Sequence, residues 1–380
     1  MGGHKGATVI DSDQHLYESR TLWADHMDPG LRDRALAIVD DEVGNAWLTW
    51  RGERIVMADV TVPGETAEVG QRLQRALRGE APAHRYDEIL PKSFWDPAAR
   101  VDELAALGVD ESVLFPNYGL AWERTLERDL EASLANMGAW NRWAVAVAHD
   151  GRGVLHPVAH LTLRDLDWLE QQLGALAAGG VRLGMISPGL VDGKPLSHPE
   201  LDRAWAAFVA HGVTPVFHVE NVTRPFDDAW FASDPEPTNP ALASVFLWAG
   251  AGLALADLTV NGTFQRHPDL RLGVMELSAV WLPMFLMYLD GGVAFHERLH
   301  GAPVAELADR PSDYVRRHVR IAAFSYEDPV RLTRQCGDLF MSCSDWPHSE
   351  GTATPRSDYG ETLTARGLHG ANVDWLLRRS

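Results

Sequence analysis

Short apolar runs recur along the chain at spacings that leave room for a helix between them. They read "TVID" at 8–11, "SVLFP" at 112–116, "VLHPVAHL" at 154–161, "VRLGMIS" at 181–187, "TPVFHVE" at 214–220, "LRLGVMEL" at 270–277, "VRIAAF" at 319–324 and "LFMSCSD" at 339–345. Near-continuous apolar strands, unlike alternating ones, belong to parallel sheets covered on both faces. The intervening stretches have helical punctuation. In "DPAARVDELAALG", Asp96 suits the N-cap, Pro97 the first helical position and Gly108 the C-terminal cap. Eight strand–helix units predict an α/β fold of the TIM (β/α)8 barrel type. A doubly wound dinucleotide fold is disfavoured, because no Gly-rich phosphate loop follows the first strand.

One stretch breaks the repeat. Residues 16–95 separate the first strand from the first helix, and "NAWLTWRGERIVMADV" within them predicts a hairpin turning at Arg51 and Gly52. We read 1–380 as a single barrel domain, with 16–95 as a lid or substrate wall. An insertion after strand 1 emerges at the C-terminal face of a barrel, where active sites lie. Trp47 or Trp50 would then wall the mouth.

Composition narrows the classes. With 380 residues and 46% hydrophobic content the chain can bury a large core, and its net charge of −19 has no concentrated basic segment. Nucleic acid is therefore not an expected partner. The two cysteines, Cys336 and Cys343, form no disulfide framework and lack zinc-knuckle spacing, which fits a reducing cytoplasm. No apolar stretch of signal-peptide length precedes the first strand. The run "NPALASVFLWAGAGLALADL" carries Asp257, Gly250 and Gly252 and reads as a buried helix rather than a membrane span.

Chemistry-bearing residues follow the strands. "DSDQH" sets Asp11, Asp13 and His15 at alternate positions, which in an extended strand share a face. Asp13 and His15 close strand 1, His218 closes strand 5, Glu276 strand 6 and Asp345 strand 8. Singly each has a plain alternative: an acidic strand edge, a core histidine bonded to a carbonyl, a turn cap. Together they sit on one barrel end, and two imidazoles with carboxylates suit one divalent ion such as Zn²⁺ or Mn²⁺. His348 lies near the same mouth, as a substrate contact, proton donor or loop anchor. Cys343 reads as a small buried side chain, and His156 as structural. Arg51 and Arg54 would bind a substrate carboxylate if the hairpin folds over the mouth, or else are solvated. Trp50, Trp281 and Trp346 suit an aromatic pocket or the core.

The segments "DSDQH", "ARVDELAALGVDESVLFP", "PVFHVE", "RHPDLRLGVMELSAVWLPMFLMYLD" and "FMSCSDWPHSEG" resemble the amidohydrolase-related family, in the branch of aminocarboxymuconate semialdehyde, resorcylate and carboxyvanillate decarboxylases. The resemblance covers about residues 8–350 and weakens in the insertion. It implies that Asp13, His15 and His218 are metal ligands and that Asp345 binds the metal or its water. It also implies a small-molecule substrate and a homodimer. The family's strand-6 histidine is absent, and Glu276 stands in its place. An unperturbed Glu is a weak base near pH 7, so acid/base work, ligation and structure all remain open for Glu276. The expected activity is metal-dependent decarboxylation of a small cyclic or aromatic acid. The alternatives are hydrolysis of an amide, ester, lactone or activated C–C bond, and a non-catalytic barrel that has lost its metal. Asp345 and His348 share the catalytic candidacy with Glu276, and Trp346 joins Arg51 and Trp50 as a substrate contact.

Overall fold

The computed structural model describes residues 8–119, 121–219, 226, 228–231, 241–303, 306–360 and 367–379. Eleven strands form two sheets: β1 (Ile10–Leu16), β2 (Ala37–Asp40), β3 (Ala46–Trp50), β4 (Glu53–Met57), β5 (Glu111–Pro116), β6 (Leu155–His160), β7 (Leu183–Met185), β8 (Thr214–Phe217), β9 (Leu272–Val274), β10 (Val319–Ala323) and β11 (Phe340–Ser342). The larger sheet has the order β1-β5-β6-β7-β8-β9-β10-β11, which is the (β/α)8 order expected from the pattern. The chain divides into two compact units, Met1–His160 with Ala178–Val181 and Cys343–Leu363, and Leu161–Ala177 with Arg182–Ser342 and Thr364–Ser380.

In the first unit β1 pairs in parallel with β5, and β5 with β6. The segment that follows the last strand returns to β1: Asp345 donates its N–H to the Asp13 carbonyl at 2.9 Å, and His15 donates to Trp346 at 2.8 Å. The long helix Leu130–Asp150 starts at Asp129, whose side chain accepts from Ala132 N–H. The helix Pro97–Leu107 has the expected caps: Asp96 accepts from Ala99 N–H at 2.9 Å, and Gly108 adopts φ +72°.

Two expectations need correction here. The first strand does not end at Asp11 but runs to Leu16, so Asp13 and His15 lie inside it. Its pairing with β5 slips between Asp11 and Gln14, so simple alternation fails there. The insertion contains the predicted hairpin, with Arg51 and Gly52 both at positive φ, as a two-residue twisted turn requires. It also contains an edge strand, β2, that the pattern did not reveal. Its far end lies at the strand-exit side, where Gly64 N–H donates to the Ser349 carbonyl at 2.8 Å and Thr61 reaches the Pro347 carbonyl. Trp47 does not wall that mouth, because its indole donates to Asp41 and its ring lies under Arg54.

The second unit holds β7 to β11, with the recorded pairings parallel. The fifth barrel strand stops at Phe217; the expectation for it ran to Glu220, which lies outside the described residues. The apolar run at 239–258, described from 241 on, forms two helices, Ala241–Val245 and Ala249–Val260. Ala251, Leu255 and Leu258 are buried, whereas Leu253 is exposed, so this segment is only partly the buried helix expected. By length and composition alone, Leu242–Val260 would suffice for a membrane span.

Candidate metal centre

Asp13 and His15 are fully buried on β1, and Asp345 is fully buried just past β11. The Nε2 of His15 lies 3.6 Å from Asp13 Oδ1 and 3.2 Å from Asp345 Oδ1. Its other ring nitrogen, Nδ1, faces the Pro116 carbonyl at 3.2 Å. A carbonyl can only accept, so Nδ1 carries the proton and Nε2 keeps its lone pair toward the carboxylates, the tautomer a metal ligand needs. Among the described residues no hydrogen-bond donor reaches the buried Oδ2 of Asp345. Burial, with Asp345 adding to it, pushes the Asp13 carboxyl well above the ordinary carboxylate range. For Asp345 burial also acts upward, but His348 and His15 outweigh it and hold the group low. Two carboxylates crowded on an imidazole lone pair are a donor set that a divalent cation satisfies.

His348 completes this cluster. Its Nδ1 is 2.8 Å from Asp345 Oδ1, its Nε2 is 2.9 Å from Asn117 Oδ1, and its ring stacks on that of His15 at 3.8 Å between centroids. Asn117 is held in turn by the loop after β5, whose Tyr118 and Gly119 N–H groups donate to the buried carboxylate of Glu18. Asp345 itself sits at φ +55°, a left-handed backbone that costs a non-glycine residue about 1 kcal/mol or more. This is an observed strain at a site residue.

In the second unit His218 repeats the tautomer logic. Its Nδ1 lies 3.0 Å from the Val219 carbonyl, leaving Nε2 to face Glu276 Oε2 at 3.1 Å. Glu276 and Ser278 both have positive φ. The turn they form is stapled by buried Glu327, which accepts from Ala279 N–H at 3.0 Å and Phe324 N–H at 2.8 Å and also binds the Ser278 hydroxyl.

The remaining expected residues fall elsewhere. Arg51 is about half exposed and paired with Asp129 at 3.2 Å, and its guanidinium stacks on Trp50. Arg54 is paired with Asp41. Trp346 is buried between Phe94 and the Arg100 guanidinium, so its ring serves the scaffold beside Asp345. Trp281 donates to the Ser278 carbonyl and stacks on Trp248. Cys343 is buried, and burial raises its thiol pKa, as its small-side-chain reading expects.

Sequence reasoning missed Arg100. It is completely buried, donating to the His15 carbonyl at 2.7 Å, the Ser93 carbonyl at 2.7 Å and Gln14 Oε1 at 3.3 Å, with its guanidinium 4.4 Å over Trp346. The signal was present, since Arg100 shares the i, i+4, i+7 stripe with buried Leu104 and Leu107. Asp11 was grouped with the ligand-type residues, but its carboxylate accepts from Ser344 N–H at 2.9 Å and Gln14 Nε2 at 2.9 Å, tying β1 to the last-strand exit. Burial raises its pKa to about 6.

In a barrel of eight parallel strand–helix units, groups at the C-terminal strand ends stand where active sites lie. Comparison with solved structures finds the same fold in known proteins. An amidohydrolase from Mycobacterium avium subsp. paratuberculosis superposes with a TM-score of 0.76 at 23% identity, over 98% of this chain and 99% of that one. The 5-carboxyvanillate decarboxylase of Novosphingobium aromaticivorans, crystallised with manganese and 4-hydroxy-3-methoxy-5-nitrobenzoic acid, gives 0.65 at 16%, over 100% and 98%. A dihydroxybenzoic acid decarboxylase of Polaromonas, with bound manganese and 2-nitroresorcinol, gives 0.61 at 13%, over 98% and 97%. At these identities the likeness is one of fold. No protein-family model and no curated protein matches the chain.

Proposed function

We propose that this chain is a divalent-metal-dependent decarboxylase of a small aromatic or cyclic carboxylic acid. By the motif resemblance Asp13, His15, His218 and Asp345 would hold the ion, with Glu276 as the acid/base group. The observation that carries the reading is the fully buried set Asp13, His15 and Asp345, in which the His15 lone pair and two carboxylates converge. His218 and Glu276 join the set because each follows an apolar strand at the position the motif resemblance assigns. The motif resemblance points the same way, as do the manganese and hydroxylated aromatic ligands bound in two similar structures.

When bound, the ion supplies Lewis acidity toward a substrate carboxylate and its neighbouring oxygen. The chain's own groups do the rest. Asp345 and Asn117 fix the His348 ring from both nitrogens, so it meets the substrate in one orientation. Glu276 serves as the acid/base group that delivers a proton to the ring carbon losing CO₂. Its buried partner His218 and the left-handed backbone at Glu276 aim that carboxyl. Buried Trp346 and Arg100 keep the Asp345 loop in register. The free, buried cysteines suit a reducing compartment, and we assign the enzyme to the cytoplasm.

The test is metal-stripped protein reconstituted with Mn²⁺ or Zn²⁺ and offered hydroxybenzoates, with CO₂ release followed against amide, ester and lactone hydrolysis. Metal-dependent CO₂ release abolished by Asp345→Asn supports the proposal. Hydrolysis without CO₂ release transfers the site to the hydrolytic reading, which the amidohydrolase with TM-score 0.76 favours. Failure to retain either metal rejects both.

A further inference from the structure

In the second unit β9 and β10 each deliver an arginine to the N-terminal end of the strands, the end away from His218 and Glu276. Arg271 directly precedes β9, and Arg320 is the second residue of β10. The short helix Asn372–Leu376 lies against β10 and β11 and carries Trp375, with Arg378 just past its end. Arg271 and Arg320 both stack on the Trp375 indole, 4.8 and 4.1 Å from its centroid. Arg271 Nη1 donates to the Trp375 carbonyl, and Arg378 Nη2 donates back to the Asp269 carbonyl at 3.3 Å. Two guanidiniums thus cross between the same two segments, and the third shares their indole.

These three cations are half-buried, and no carboxylate among the described residues pairs with them. Asp269 bonds Arg378 through its backbone carbonyl, Asp338 accepts from Asn372 at 3.3 Å, and Asp374 is paired with Arg379 at 2.6 Å. Arg320 likewise bonds neutral groups, Asn372 Oδ1 at 2.8 Å and the Arg316 and Val319 carbonyls. The Nε of Arg378 is buried without an acceptor among the described residues. Burial lowers the pKa of all three, and for Arg378 the repulsion of Arg271 comes next, ahead of the attraction of Asp269. Arginine keeps its proton regardless, so the crowding stays as repulsion. Pinning the helix needs one stacked cation; the second and third add a cost that a counter-charge removes.

We propose that this corner of the second unit is an oxyanion site, and that Arg271, Arg320 and Arg378 hold a phosphate group there. Nη2 of Arg271, Nη2 of Arg320 and Nη1 of Arg378 bond no acceptor among the described residues, so each has donors to give. A guanidinium presents parallel N–H groups that match two oxygens of a phosphate. A phosphate dianion neutralises more of the cluster than a single carboxylate does. The site shares no residue with the metal centre, and the proposal does not depend on the catalytic reading. A bound phosphate ties residues 269–271 to 375–378, so its occupancy stiffens the C-terminal helix against β10.

Isothermal titration of the full chain with inorganic phosphate, at constant ionic strength in chloride, should give a dissociation constant of ~0.2 mM, as two or three charge-assisted bonds provide. At about 100 times that concentration the thermal midpoint should rise by about 3 °C. Arg271→Met with Arg378→Met should abolish both effects. Arg320→Gln, which leaves the exchange between Arg271 and Arg378 in place, should weaken binding about tenfold. Asp345→Asn should leave phosphate binding unchanged, which separates this site from an ion at the strand exits. Methyl phosphate that binds as well as inorganic phosphate assigns the site to phosphorylated metabolites, and binding about tenfold weaker assigns it to the free ion; both uphold it. No saturable binding by about 20 mM phosphate overturns the proposal. So does binding that persists undiminished in Arg320→Gln and in the double variant, and so does binding that vanishes in Asp345→Asn.

Discussion

Replacing Arg100 with methionine tests whether a buried cation behind the site holds the site together. Methionine refills most of the stem but supplies no donor, so two carbonyls, Ser93 and His15, lose short bonds of 2.7 Å, and Gln14 Oε1 loses a longer one. Each buried acceptor left unpaired costs about 1–3 kcal/mol. The stacking on Trp346 is lost as well. Removing a buried charge returns part of this, because burial already presses the guanidinium pKa down to about 9. The net expectation is a loss of about 4 kcal/mol. For a chain this long the unfolding entropy is about 0.8 kcal/mol/K, so the thermal midpoint should fall by about 5 °C. Lysine, with one point of charge in place of a planar fork, should recover less than half of that. Differential scanning calorimetry reads the midpoint, and titration with Mn²⁺ should show weakened binding, because the His15 carbonyl is the acceptor released. A midpoint within 1 °C of wild type with unchanged Mn²⁺ affinity would refute the reasoning, as it would mean that water replaces the guanidinium at no cost.

Glu276→Gln should keep bound metal while lowering kcat by ~10²- to 10⁴-fold, whereas His218→Ala should lose metal and activity together; equal metal loss in both, read by elemental analysis, would make Glu276 a ligand. His160 is buried and its pKa is pushed down to about 3 by desolvation, even with Glu123 3.3 Å away. The unfolded chain therefore takes up a proton that the folded chain refuses, and stability falls as pH drops from about 6.5 toward 3, by at most ~1.4 kcal/mol per pH unit. His160→Gln should flatten that limb in urea titrations at stepped pH, and an unchanged slope would show that the His160–Glu123 pair titrates as an ion pair. Asp96→Ala should cost about 1 kcal/mol by removing the cap on Ala99 N–H, seen as a lower urea midpoint at constant m-value.

The eight barrel strands were legible because each is a short apolar run bounded by turn residues, and the caps at Asp96 and Gly108 because those residue types have one local use. The ligand-type residues stood out for a related reason, since polar groups within or just after an apolar strand break its pattern, although Asp13 and His15 lie inside β1 rather than at its end. What stayed hidden is long-range. Nothing local to Asp11 says that it will accept from Ser344, and nothing local to Asn117 says that it will meet His348. The edge strand β2 is half exposed and carries too little apolar pattern to announce itself. The hairpin tryptophans misled because the small sheet supplies their partners locally, Arg51 over Trp50 and Arg54 over Trp47. Arg100 was readable as a charge on an apolar stripe, yet only its burial shows that the charge faces inward.

The unit that carries Asp13 and His15 is discontinuous, and its closing piece, Cys343–Leu363, comes near the end of the chain. At a synthesis rate of about 5–20 residues per second, the ribosome spends roughly half a minute between exposing His15 and supplying Asp345. During that interval the first strand lacks the backbone partners that Asp345 and Trp346 provide. On the proposed reading, an ion captured in that interval would find an imidazole and a carboxylate but not the second carboxylate, so the full donor set exists only once Asp345 has been made.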